Sequence, residues 1–190
     1  MSTVTLQDSY HHNLDPYTLA VLHIALAEDG VREVSSMGQN RGPRVDEYIR
    51  STRLDPAASP PHGYPWCMCF VYWCFETAAR VTGRKNPCWR TASVVTHWDK
   101  TQGSKVSAED AIKDHGLVKP GMVFCKTHDL TSHTGIVCQV TDEGIVTVEG
   151  NTNVAGSREG DAVVAGKVRP WDYVKLGFIG YFDVPLLICT

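Results

Sequence analysis

Long apolar runs are missing from this 190-residue chain. No stretch approaches the roughly 18 apolar residues of a membrane-spanning helix, so no span is expected. A basic block is missing too. The 18 lysines and arginines are scattered, and a formal net charge of -3 offers no field that would recruit nucleic acid or an anionic lipid surface. Met1 to Asp15 has neither the basic nor the apolar region of a secretory signal. The expectation is therefore a protein made in the cytoplasm and carried out, where it is carried out, by a dedicated machine. Repeats, low-complexity tracts and long linkers are also absent. With 43% hydrophobic residues, this predicts a single domain over residues 1–190 with a sizeable core.

Cysteine is what the chain does not lack. It has seven, an odd number, and without a secretory signal the default is reduced thiols rather than a disulfide framework. Cys67, Cys69 and Cys74 stand close together but lack the two-plus-two spacing of a zinc site, and Cys88, Cys125 and Cys138 stand apart. Most of them read as small buried hydrophobes.

Cys67 differs by its position. Turn formers crowd ahead of it, from Asp55 through Pro56, Pro60, Pro61, Gly63 and Pro65. An apolar stretch follows, with Phe70, Cys74 and Ala78 on one face and Val71, Trp73 and Phe75 filling the others. That stretch predicts a buried helix from about Cys67 to Val81, stopped by Gly83. Cys67 then sits in the first turn, where free backbone N–H groups and the helix dipole favour a thiolate. Cys69 is a rival nucleophile on another face of the same helix.

Two shorter helices precede it. Asp15-Pro16 reads as an N-cap followed by proline, with Leu19, Leu22 and Leu26 behind it and Gly30 as a stop. Arg44 to Arg53 carries Val45, Tyr48 and Ile49 on one side. Ser107 to His115 reads as a capped helix closed by Gly116. Strands then take over at Met122–Cys125, Thr134–Val140, Ile145–Glu149, Val163–Val168 and Phe178–Val184, with Thr141-Asp142-Glu143-Gly144 as a hairpin turn. The segment from Arg84 to Val106 carries no clear pattern. Helices first and an antiparallel sheet second predict an α+β domain.

A nucleophile needs a base, and the base an orienter. His133 begins one predicted strand and Glu149 ends the next, so the hairpin brings them side by side with Asn151 close by. Packing of the helix start against that end of the sheet would complete a Cys-His-polar site. His11, His12, His23, His97 and His115 read as surface or core histidines.

These segments resemble the CHAP family (cysteine, histidine-dependent amidohydrolase/peptidase). Gly63-Tyr64-Pro65-Trp66-Cys67, with Phe70-Val71 and Trp73, is similar to its catalytic helix start. Ser132-His133-Thr134-Gly135-Ile136-Val137 is similar to its histidine strand, and Val148-Glu149-Gly150-Asn151-Thr152-Asn153 to its glutamate–glycine–asparagine segment. Lys119-Pro120-Gly121 and Gln39-Asn40-Arg41-Gly42, with Val45 and Tyr48, fit as well. The resemblance runs from about Ala20 to Phe182, which leaves nothing over for a separate wall-binding module. It departs at Met68 and Cys69, commonly small in the family, and at Met122, where an aspartate is frequent.

The resemblance implies a papain-like NlpC/CHAP fold and a peptidoglycan substrate. Cys67 would be the nucleophile, His133 the base, and Glu149 and Asn151 the orienting pair. The Cys67 N–H, with Tyr64, would meet the oxyanion. By position rather than by resemblance, Trp66 reads as core and pocket wall, and His62 and His128 read as surface or core residues on loops near the site, where they are candidates to line the substrate groove. No metal or organic cofactor is implied. The settings that suit it are a phage endolysin released through a holin, or a secreted antibacterial toxin with a cognate immunity protein. Two rivals stay open: a cytoplasmic amidase or isopeptidase on a non-wall amide such as a glutathione–polyamine conjugate, and a non-catalytic binding module with an inert cysteine.

Overall fold

The computed structural model describes residues 14–58, 63–128, 131–153 and 160–186, with the side chains of His128 and Thr131 excepted. Helix α1 (Pro16–Ala27) starts as its cap predicts: Asp15 accepts from the backbone N–H groups of Tyr17 and Thr18. Its buried residues include Tyr17, Val21, Leu22 and Ala25. Of the three leucines that follow the cap, Leu22 is the one that is fully buried. Helix α2 (Pro43–Ser51) buries Val45, Asp46, Tyr48 and Ile49. Helix α3 (Cys67–Thr82) ends on Gly83 in the left-handed region, φ 65°, a conformation that glycine adopts without strain. Its residues 67 to 75 are all buried, as a helix apolar on every side requires.

The patternless segment contains α4 (Val94–Lys100), capped by Ser93, and a short strand β1 (Ser104–Ser107). Ser107 then caps α5 (Ala108–Lys113). That helix is shorter than expected. Gly116 lies inside a separate 3-10 turn, His115–Leu117, whose start is capped by Asp114. The remaining strands are β2 (Val123–His128), β3 (Thr131–Thr141), β4 (Gly144–Thr152), β5 (Ala162–Pro170) and β6 (Gly177–Gly180). They form one antiparallel sheet in the order β1-β6-β2-β3-β4-β5. Thr141 pairs with Gly144 across the expected hairpin turn.

The architecture is α+β. Helices α1 to α3 and one sheet face, including Val123, Cys125, Ile136 and Val148, build the main core. The alternate residues Met122, Phe124 and Val137 enter a second cluster with Ala111, Val174 and Phe178. A period of two along β2 and β3 distributes side chains between the two clusters. No helix among the described residues is long and apolar enough to cross a membrane.

Candidate active site

Three glycines let the elements carrying the candidate residues approach. Gly63 has φ 65°, and a Cβ there would meet the Gln39 carbonyl oxygen at 2.6 Å. This lets the Gly63–Trp66 segment lie against the Gln39–Asn40 loop. Trp66 is then held by its indole N–H, which donates to Glu33 Oε1 at 2.9 Å, while Glu33 Oε2 accepts from the Asn40 N–H at 2.8 Å. Gly150 lies against the first turns of α3, where a Cβ would stand 2.7 Å from Phe70 and 2.8 Å from Trp66. Gly135 lets β3 lie against Glu149, whose Cγ would be 2.7 Å from an added Cβ. The glycines of the two downstream motifs are thus contact points between elements.

Cys67 opens α3 and is buried apart from a 5% remnant. Trp66 in the N-cap position supplies no side-chain hydrogen bond to the helix. Unlike α1, this helix start keeps its backbone donors for an anion. His133, in β3, bonds through Nε2 to Glu149 Oε2 at 2.8 Å. Its other nitrogen, Nδ1, is buried and makes no hydrogen bond to a nitrogen or oxygen atom; the group that acts on the ring besides Glu149 is the Cys67 thiol. Burial would push the ring's pKa down. The Cys67 thiol and the Glu149 carboxylate outweigh that and raise it to about 9.

Glu149 has no exposed surface. Four bonds converge on its carboxylate. Oε1 accepts from Arg169 Nε at 2.8 Å and from the Thr147 hydroxyl at 2.7 Å, and Oε2 from Arg169 Nη2 at 2.6 Å and from His133. Burial raises its pKa, but Arg169 and His133 overcome this and hold it at about 2. Tyr173 lies under Arg169, its ring centroid 4.2 Å from the guanidinium carbon. Burial, and then the charge of Glu149, push its hydroxyl up to about 12.

Of the orienting pair, it is Glu149 that bonds the ring. Asn151 is buried beside it with φ 55°, on a bulge where the β4–β5 register shifts between Glu149 and Thr152. Its Oδ1 has no partner. Tyr64 is half-buried and packs on the main core. Trp66 is core, as its reading allowed, but its place as pocket wall requires a correction: with 0% exposure it lies under Tyr48, ring centroids 5.6 Å apart, and offers no surface to a substrate. His62 lies outside the described residues, and of His128 only the backbone, at the end of β2, is described.

The rival Cys69 faces the Thr52 hydroxyl at 3.6 Å, and burial raises its thiol to about 12. Cys125 and Cys138 are raised likewise to about 12. All six described cysteines are free.

Sequence reasoning missed Arg169, Thr147 and Tyr173. What marks Arg169 is visible only in the fold. At its C-terminal end β5 alternates in reverse, with Lys167 and Arg169 buried and Val168 62% exposed. An apolar residue facing out between two cations marks a strand whose inner face meets a negative charge. Thr147 stands two residues before Glu149, and so on the same side of the strand.

The family model of the CHAP domain matches residues 59–151. That segment includes Cys67, His133, Glu149 and Asn151 and ends before β5. Comparison with curated proteins and with solved structures gives no match.

Proposed function

Residues 59–151 being a CHAP domain, the domain of amidases and peptidases that often act on peptidoglycan, we propose that the protein is a cysteine-dependent hydrolase of a peptidoglycan amide bond. The bond lies within the stem peptide or between muramic acid and the first alanine. The observation that carries the reading is a buried histidine held by a carboxylate through one nitrogen and acted on by a cysteine at an uncapped helix start.

In this mechanism Glu149 keeps Nε2 protonated, so Nδ1 is the basic nitrogen and takes the Cys67 thiol proton. The thiolate attacks the carbonyl carbon, and the backbone N–H of Cys67 meets the developing oxyanion. Collapse breaks the C–N bond. The amine leaves with the proton from His133 Nδ1, and the acyl group stays on sulfur as a thioester. His133 then deprotonates a water, which attacks that thioester. The carboxylic acid departs and the thiol is restored. Action takes place in the wall, after release by a holin or by specialised secretion. A secreted toxin would meet a cognate inhibitor at this cleft.

The test is digestion of purified sacculi by wild type and Cys67→Ala, with soluble products read by mass spectrometry. New amine and carboxyl ends made by wild type alone are expected, and their masses name the bond. No products from folded wild type on walls of several chemotypes would move the assignment to a non-wall amide. Equal products from both proteins would remove Cys67 from the mechanism.

A further inference from the structure

We propose that Arg169 is a positioning residue of this site: its fork on Glu149 decides that the proton shared with His133 stays on the imidazole and never passes to the carboxylate. The inference rests on the reading of Cys67 and His133 as the reacting pair. Arg169 lies outside the segment that the CHAP model matches.

A buried acid bonded to a histidine has two arrangements, carboxylate with imidazolium or carboxylic acid with neutral imidazole. In a dry site the neutral pair is the cheaper unless further charge and donors stabilise the ions. Here the carboxylate accepts four hydrogen bonds, two of them from one guanidinium. Four bonds occupy the acceptor positions of both oxygens, and each is stronger to a carboxylate than to a carboxylic acid, so a proton passing along the His133 bond would weaken the other three. The parallel pair at 2.8 and 2.6 Å is the fork geometry of arginine, which lysine cannot reproduce. Tyr173 fixes the plane of that fork from below, with Lys126 Nζ also 4.0 Å from its ring centroid.

The other groups bearing on Glu149 do not replace Arg169. Lys167, also from β5, is a cation whose own pKa is lowered by burial. From β3 come His133 itself and the Cys138 thiol, which is neutral at neutral pH. Tyr173, in the turn after β5, is neutral as well. Cys67, from α3, adds negative charge when ionised and works on His133 rather than on Glu149. Arg169 is therefore the dependable positive charge of the cluster, and its effect reaches Cys67 through Glu149 and His133.

The experiment compares wild type, Arg169→Lys and Arg169→Met for the pH dependence of Cys67 alkylation by iodoacetamide, for kcat and KM, and for the ring ¹⁵N shifts of His133, with thermal unfolding as a control. In both variants the acid limb of alkylation should move to higher pH, further in Arg169→Met than in Arg169→Lys. The ring nitrogens should move toward the neutral imidazole. Turnover should fall about 10- to 100-fold, as when an orienting contact behind a reacting group is lost, with KM within about threefold. Folded variants with wild-type alkylation profiles and ¹⁵N shifts would overturn the proposal and leave Arg169 a stabilising ion pair. Should Arg169→Met not fold, a wild-type profile in Arg169→Lys is sufficient to overturn it. Loss of the parent reading looks different: wild type itself would then show no selective alkylation of Cys67.

Discussion

Glu149 and Asn151 stand two positions apart near the end of β4, yet a single turn of backbone separates their chemistry. Glu149 continues the strand and aims at His133. Asn151 sits on the bulge with φ 55°, which asparagine tolerates better than most residues. Glu149→Gln keeps the shape and removes the charge, and it should lower kcat by on the order of 100-fold or more, as loss of the orienting carboxylate does in a comparable triad. Asn151→Gly keeps the backbone freedom and should cost less than about tenfold. Steady-state rates on soluble wall fragments decide the point. Equal losses would mean that Asn151 polarises the ring in solution, against the arrangement described.

At the scale of elements, the site depends on how closely β4 can approach α3. Adding a methyl at Gly150 sets carbon against Phe70 and Trp66 at under 3 Å, and neither ring has space to yield inside the main core. Gly150→Ala should therefore destabilise the fold by about 1–3 kcal/mol, the usual cost of overpacking. It should also slow Cys67 alkylation. A variant that melts with wild type and labels at the same rate would show that the approach has slack. The same scale explains what could be read in advance. The start of α3 was legible because proline-rich turns and an all-apolar helix are local signals, and Gly83 marks its end. That His133 and Glu149 share one end of a hairpin was legible from the short turn, whereas their final register also depends on a shift between Val137 and Gln139. That Trp66 is closed off from any pocket was not legible, because its complete burial depends on Glu33 and Tyr48, far from it in sequence. Arg169 was missed because its meeting with Glu149 depends on β5 joining the sheet with a shifted register, which no turn near Glu149 encodes.

For the whole molecule, the buried charges set a pH window of stability. Glu149 has its pKa lowered from 4.5 to about 2 on folding, so between those values the unfolded chain binds more protons. Its contribution is present above about 4.5 and is lost as pH falls toward 2. Glu28, bonded by Arg44 and Tyr48, and Asp46, bonded by Arg41, are lowered as well and act in the same direction. His133 has the opposite sign. Raised from 6.5 to about 9, it contributes fully below 6.5 and loses that contribution as pH rises through 9. Buried His97 adds to the loss on the acid side: burial lowers its pKa from 6.5 to about 4, so the unfolded chain binds more protons between those values and stability falls as pH drops below 6.5. The melting temperature should therefore peak near about pH 6.5 and fall on both sides. A curve still level at pH 3 would contradict the burial of these carboxylates.

The inverted end of β5 has a consequence beyond the site. In the order of the sheet β5 is an outermost strand. Among the described residues, its first half is covered by residues 29–33, through the Arg32–Ala162 bridge, the bonds of Val163 with Gly30 and Val31, and the Ala165 N–H that donates to Asp29. The rest of that margin would be a template on which a second chain could add a strand and begin a fibre. Two inward-pointing cations, Lys167 and Arg169, and the closing Pro170 make such an addition unfavourable, because a strand slipped or stacked there would have to bury charge without its carboxylate partner. The guanidinium that braces the carboxylate thus also discourages self-association, and a mutation there would endanger solubility together with turnover.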